Sequence, residues 1–152
     1  MIGRATLLAI VGAGLLSADV RSGNRQQRLR QSDIGIQALT VQIEAGAMVS
    51  RVVVYAGMDD PSDGVHLEVL LPPGSTVIRM PAECAATPDV RGSPVRGRIS
   101  CSLGTLAVNE RRNLVFASSV PLPNVPKAVA AFVSSDSPDP RPGDNFSLKI
   151  LP

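Results

Sequence analysis

From Ile34 onward, hydrophobic and polar positions alternate with a period of two along much of the chain. That period places successive side chains on opposite faces of an extended strand. Val65, Leu67, Val69 and Leu71 share one parity, and His66, Glu68 and Leu70 share the other, so this segment reads as a strand with one core face. Met48–Tyr55 is a β-branched run of the same kind. In Ile34–Ile43, Ile36 and Ala38 keep the parity of Ile34, whereas Val41 and Ile43 take the other, which predicts a bulge or break near Leu39. Shorter strands are expected at Thr76–Met80, Arg98–Leu103, Asn113–Val120, Lys127–Ser134 and Asn145–Leu151, with an irregular stretch over Pro81–Val95. The breaks between them carry turn chemistry: Glu44-Ala45-Gly46, the polar run Asp59–Gly64, Pro72-Pro73-Gly74, and Gly104. About seven to eight short strands without a convincing helix between them read as a two-layer β-sandwich over residues 34–152.

The first 33 residues follow a different pattern. Arg4 is followed by an apolar and small-residue run, Ala5–Leu16, and then by Leu16-Ser17-Ala18 before Asp19. A charged start, an apolar middle and a small-residue exit are the parts of a secretory signal, here a signal helix over residues 1–18. The run is shorter than the ~20 residues needed to cross a bilayer. No cysteine follows the cleavage point and the chain ends without an apolar tail, so no stable membrane anchor is expected after cleavage. Residues 19–33 then hold four arginines (Arg21, Arg25, Arg28 and Arg30) and almost nothing hydrophobic, which reads as a basic, solvated arm.

Composition narrows the partners. A formal charge of +2, scattered basic residues and 3% aromatics without Trp give no platform for stacking bases, so nucleic acid is not an expected partner. With so few aromatics, Val, Leu, Ile and Ala must fill the core. The two cysteines, Cys84 and Cys101, belong to an exported chain and are expected to form one disulfide that ties the irregular segment to the strand after it.

Four stretches resemble the bacterial conserved-repeat domain of unknown function eleven. They are Pro61-Ser62-Asp63, Leu71-Pro72-Pro73-Gly74, Cys101-Ser102-Leu103-Gly104-Thr105-Leu106, and Asp139-Pro140-Arg141-Pro142-Gly143-Asp144-Asn145. Met58-Asp59-Asp60 stands where the family has an asparagine-glycine pair, and Asp144-Asn145 where it has two asparagines. The resemblance runs from about Gly46 to Leu151 in a single copy. It implies an immunoglobulin-like sandwich from a surface or secreted bacterial protein, and it carries over no catalytic residues.

Candidate chemistry is sparse. His66 is the one histidine, it falls on the outward parity of its strand, and no glycine-flanked nucleophile accompanies it, so no catalytic set is expected. Two cysteines and one histidine are poor material for zinc. Calcium has more to work with. Asp59, Asp60 and Asp63 crowd one turn, and Asp136, Asp139 and Asp144 crowd another beside Asn145. In an immunoglobulin-like order both turns lie at one end of the sandwich, where oxygen ligands could gather around Ca²⁺. The aromatics Tyr55, Phe116, Phe132 and Phe146 all fall inside expected strands, which speaks against a sugar-stacking platform.

The expectation from sequence is a non-enzymatic structural or protein-interaction module of the cell surface, periplasm or secreted fraction, with no cofactor. Its partner would be another extracellular or envelope protein, or a surface polymer. The alternative is a soluble ligand-binding domain that takes metal or carbohydrate at the acidic loops.

Overall fold

The computed structural model describes residues 31–57, 60–87, 97–121 and 123–151. The signal segment, and the basic arm up to Arg30, lie outside the described residues. Nine strands are formed among them: β1 (Ile34–Glu44), β2 (Ala47–Ala56), β3 (Ser62–Leu70), β4 (Val77–Arg79), β5 (Cys84–Thr87), β6 (Arg98–Leu106), β7 (Arg111–Ser119), β8 (Ala128–Ser134) and β9 (Phe146–Ile150). A single 3-10 turn at Pro142–Asp144 precedes β9.

The strands make two antiparallel sheets in the orders β1-β2-β7-β4 and β5-β6-β3-β8-β9. If β1, β2, β3, β4, β7, β8 and β9 are read as A to G of a constant-type immunoglobulin sandwich, the sheets are A-B-E-D and C-F-G. The β5–β6 hairpin is then an insertion between D and E that extends the second sheet beyond C. The expected sandwich is therefore present, with one more strand than the sequence pattern delivered. The additional strand is β5, inside the stretch expected to be irregular. Cys84-Ala85-Ala86-Thr87 pairs residue by residue with Cys101-Ser100-Ile99-Arg98, so pairing to a long neighbour makes a strand of a segment too short to show a pattern.

Alternation is what fills the core. Val65, Leu67 and Val69 of β3, Ile99, Cys101 and Leu103 of β6, and Val129, Ala131 and Val133 of β8 point inward from the five-stranded sheet. They meet Met48, Val52 and Val54 of β2 and Leu114 and Phe116 of β7 from the other sheet. Phe116 is the largest fully buried side chain; its burial contributes about 2–3 kcal/mol.

Two irregularities redirect the ladders. The parity switch in β1 falls at Gln37, between Ile36 and Ala38, two residues before the expected position. Gly104 does not end its strand. It takes a positive φ of 69° within β6, opposite a second glycine-bearing irregularity in β3 at Gly64 (φ 59°). Glycine tolerates this left-handed conformation, so the ladder absorbs both as bulges and continues to Leu106. The β1–β2 connection is a two-residue hairpin in which Ala45 and Gly46 both have positive φ, the hand that matches strand twist.

Candidate functional site

The acidic turns do meet at one end of the sandwich. The amide of Asp136 donates to the carbonyl of Asp63 at 2.9 Å, and the amide of Asp63 donates to Ser137 Oγ at 3.2 Å. Three of the carboxylates nevertheless turn to donors of the protein itself. Asp63 Oδ1 accepts from Thr105 Oγ1 at 2.9 Å. Asp139 accepts from the Arg141 amide at 2.8 Å and from Asn145 Nδ2 at 2.7 Å. Asp144 accepts from the Tyr55 hydroxyl. Asp60 stands apart from these bonds, half-buried at the start of the turn, and Asp59 lies outside the described residues. Among the described residues no three His, Cys, Asp or Glu side chains come together in a way that could hold a metal ion. Turn carboxylates that cap local amides and hydroxyls are already engaged in folding.

The same end holds a polar knot that the sequence did not reveal. Asp33 is buried, yet its carboxylate receives the Arg141 guanidinium, with Nε at 3.1 Å and Nη2 closer. The Ser32 amide donates to Pro138 O at 3.1 Å, and the carbonyl of Asp33 accepts from the Gly57 amide at 2.6 Å. Ser32 and Asp33 thus belong to the folded body and not to the arm. Pro138 and Arg141 lie more than a hundred positions away, beyond the reach of any local pattern. Beside them, the hydrogen bond to Asp144 holds the Tyr55 phenol up to about 12, assisted by burial and by the negative charges of Asp144 and Asp33. Arg141 is raised above its ordinary value by its bond to Asp33. This knot locks the β8–β9 connection onto the start of β1, and it leaves Ser32 Oγ and Asp144 Oδ1 buried without a hydrogen-bond partner among the described residues.

Cys84 and Cys101 form the expected disulfide. They sit directly across β5 and β6 with Cα atoms 4.0 Å apart. The Ser102 amide donates to Glu83 O in the adjacent pair, so the cysteines occupy the close, non-hydrogen-bonded position of the ladder. The bond pins an edge strand and leaves both sulfurs on the core side.

The side of the five-stranded sheet that faces solvent is more informative. Register places Phe146, Phe132, Glu68, Ser100 and Ala85 in one row across β9, β8, β3, β6 and β5. The next row is Leu148, Ala130, Leu70, Arg98 and Thr87, and His66 lies between Ser134 and Ser102 in the row on the other side. The β8–β9 half of this face is apolar: Phe132, Phe146, Leu148 and Ile150 are 40%, 47%, 51% and 64% exposed. The two phenyl rings pack at a centroid distance of 4.8 Å with a 38° tilt. The other half is polar, with an open groove of about 460 Å³ bordered by His66, Glu68, Arg98, Ser100, Phe132 and Ser134. Glu68 and Arg98 pair across it at 3.4 Å. His66 is exposed, as its parity required.

Sequence reasoning placed Phe132 and Phe146 correctly in strands but did not show that they emerge into solvent. Alternation in β9 separates Phe146, Leu148 and Ile150 from Ser147 and Lys149 without saying which set faces inward. The deciding signal was in β8: Val129, Ala131 and Val133 fill the core parity, so Phe132 and its cross-strand neighbour Phe146 must face out.

No family model matches the chain, and no curated protein matches it in sequence. Among solved structures it is similar to a chitin-binding domain from Streptomyces coelicolor, at 16% identity and a TM-score of 0.43, over 73% of this chain and 97% of that one. It is also similar to part of an exo-β-N-acetylglucosaminidase from Vibrio harveyi, at 11% identity and a TM-score of 0.35, over 79% of this chain and 17% of that one. Both likenesses are remote, and neither bears on what this chain binds.

Proposed function

We propose that the mature chain is an exported, non-catalytic interaction module that docks another protein through the solvent side of β8 and β9. One observation carries this reading: four large hydrophobic side chains stand 40% to 64% exposed and adjacent on one sheet face. Contiguous apolar surface of this kind is costly to leave in water and marks contact surfaces. The disulfide fits an oxidising compartment. The resemblance to a domain of bacterial surface proteins points the same way. The test is a photo-cross-linking residue placed at Phe146, with Arg51 on the other sheet as control, in cells of the source organism. A discrete adduct at position 146 and none at 51 is expected; equal or absent labelling at both positions overturns the reading.

A second reading, carbohydrate binding, is favoured by the groove beside Phe132. One aromatic ring next to a carboxylate, a guanidinium and several hydroxyls suits a sugar ring and its hydroxyl groups. The tilt between the two phenyl rings, and the aliphatic Leu148 and Ile150 beside them, suit a protein surface better. Retention on insoluble polysaccharide that is lost in both Phe132→Ser and Arg98→Ala would favour the sugar; retention of neither protein nor variant would favour the protein partner.

A further inference from the structure

We infer that β9 pairs antiparallel with β9 of a second copy of this chain, about a two-fold axis through Leu148. This extends the surface proposed above across two copies and goes beyond that reading. β9 is the last strand of its sheet and ladders to β8 alone among the described strands. The Leu151 amide donates to Lys127 O at 2.9 Å and the Val133 amide to Asn145 O at 2.9 Å. Odd-numbered residues of β9 therefore turn their backbone groups to β8. Those of Phe146, Leu148 and Ile150 point away from β8, to an edge that ladders to no other described strand and is a template for one.

Geometry then restricts the partner. Edge groups must meet edge groups, so even-numbered residues must lie opposite even-numbered residues. Only with Leu148 opposite Leu148 of the second copy does the whole strand Phe146–Ile150 overlap. This register sets Phe146 opposite Ile150 at both ends, an aromatic–aliphatic cross-strand pair. It places Lys149 opposite Ser147, whereas sliding by two residues in one direction sets Lys149 against Lys149 and shortens the overlap. A strand that reads apolar-polar-apolar-polar-apolar is self-complementary about its centre, as a two-fold interface requires. The same residues continue one apolar face across both copies, with Phe132 behind Phe146.

Edge pairing leaves the four exposed side chains on the solvent face, so they supply little of the roughly 800 Å² per partner that a standard stable complex buries. Ladder hydrogen bonds supply part of the remainder, so the dimer is weak, with a dissociation constant in about the micromolar range or above.

The test is sedimentation of the mature, disulfide-bonded protein from about micromolar to millimolar concentration. A reversible monomer–dimer equilibrium is expected, and Leu148→Lys should shift it at least tenfold toward monomer. Leu148 is half exposed, so the variant should keep its circular dichroism spectrum. Leu148→Cys should cross-link to itself on mild oxidation, because residues facing each other in such a ladder stand at disulfide distance. Phe146→Cys should cross-link to Ile150→Cys in a mixture, and neither to itself. A chain that stays monomeric throughout, a dimer indifferent to Leu148→Lys, or self-linking at position 146 overturns the inference. A monomer that still gives a position-146 adduct with a different protein overturns self-pairing and leaves the interaction reading standing. Absence of both dimer and adduct overturns both.

Discussion

Tyr55 shows how one side chain ties a distant loop to the sandwich. Its neutral phenol donates to Asp144, which lies 89 positions further on. Ionised, the same oxygen would confront the Asp144 carboxylate, which is why its titration moves from 10.0 to about 12. Because the folded value is raised above the unfolded one, the stabilisation is complete below pH 10 and is lost as pH rises through 12. Tyr55→Phe should cost about 1 kcal/mol at neutral pH, the usual net value of one hydrogen bond. The gap between wild type and variant should close between pH 10 and 12 in urea unfolding; a constant gap would mean that the hydrogen bond does not govern the titration. Gly64 is the other residue on which much depends. Its φ of 59° belongs to the left-handed region, and a Cβ there would run into the Asp136 carboxylate. Gly64→Ala should destabilise by about 1–2 kcal/mol from backbone strain, with a further loss from that collision, read as a lower thermal midpoint.

Among the elements, β5 depends most on a single bond. It has four residues, it is an edge, and Cys84 alone of these is buried. Replacing Cys84 and Cys101 together with alanine should cost about 3 kcal/mol on the chain-entropy view of a loop of this length. The loss should be local in its first effects. Amide exchange should speed up at Ala85–Thr87 while β2 and β7, paired along their length at the centre of the other sheet, keep their protection. Uniform acceleration across both sheets would show instead that the bond holds the whole sandwich. β9 is the contrasting edge: it is held by the ladder to β8 and by contact with β1, and its apolar parity is left to solvent.

For the molecule as a whole, the export signal, the arm and the sandwich form one proposed plan, in which a leader delivers a small oxidised domain to a compartment where it meets its partner. Protein recovered from the secreted or envelope fraction should begin near Asp19, and its intact mass should be lower by the two hydrogens lost to the disulfide. Denaturation without reductant should expose no reactive thiol. Chains in the cytosol that begin at Met1 and carry two free thiols would contradict the plan at both points. At the loop end, Asp63 and Asp139 accept hydrogen bonds from neighbouring groups of the protein itself.

The sequence by itself determined the class of fold and most strand positions, because alternation and turn residues act over a few neighbours and need no distant partner. It determined the outward course of His66 and the core face of β3 in the same way. It determined the disulfide because only two cysteines were present to pair. Tertiary structure alone decided the sheet order, with the β5–β6 hairpin added beside β3, since local patterns do not encode which strands become neighbours. It decided that Asp139 turns to Asn145 within its own loop, and that Asp33 leaves the basic arm to meet Arg141. It also decided that Phe146, Leu148 and Ile150 face water: a two-residue period fixes which side chains share a face, and only the neighbouring strand fixes which face is the core.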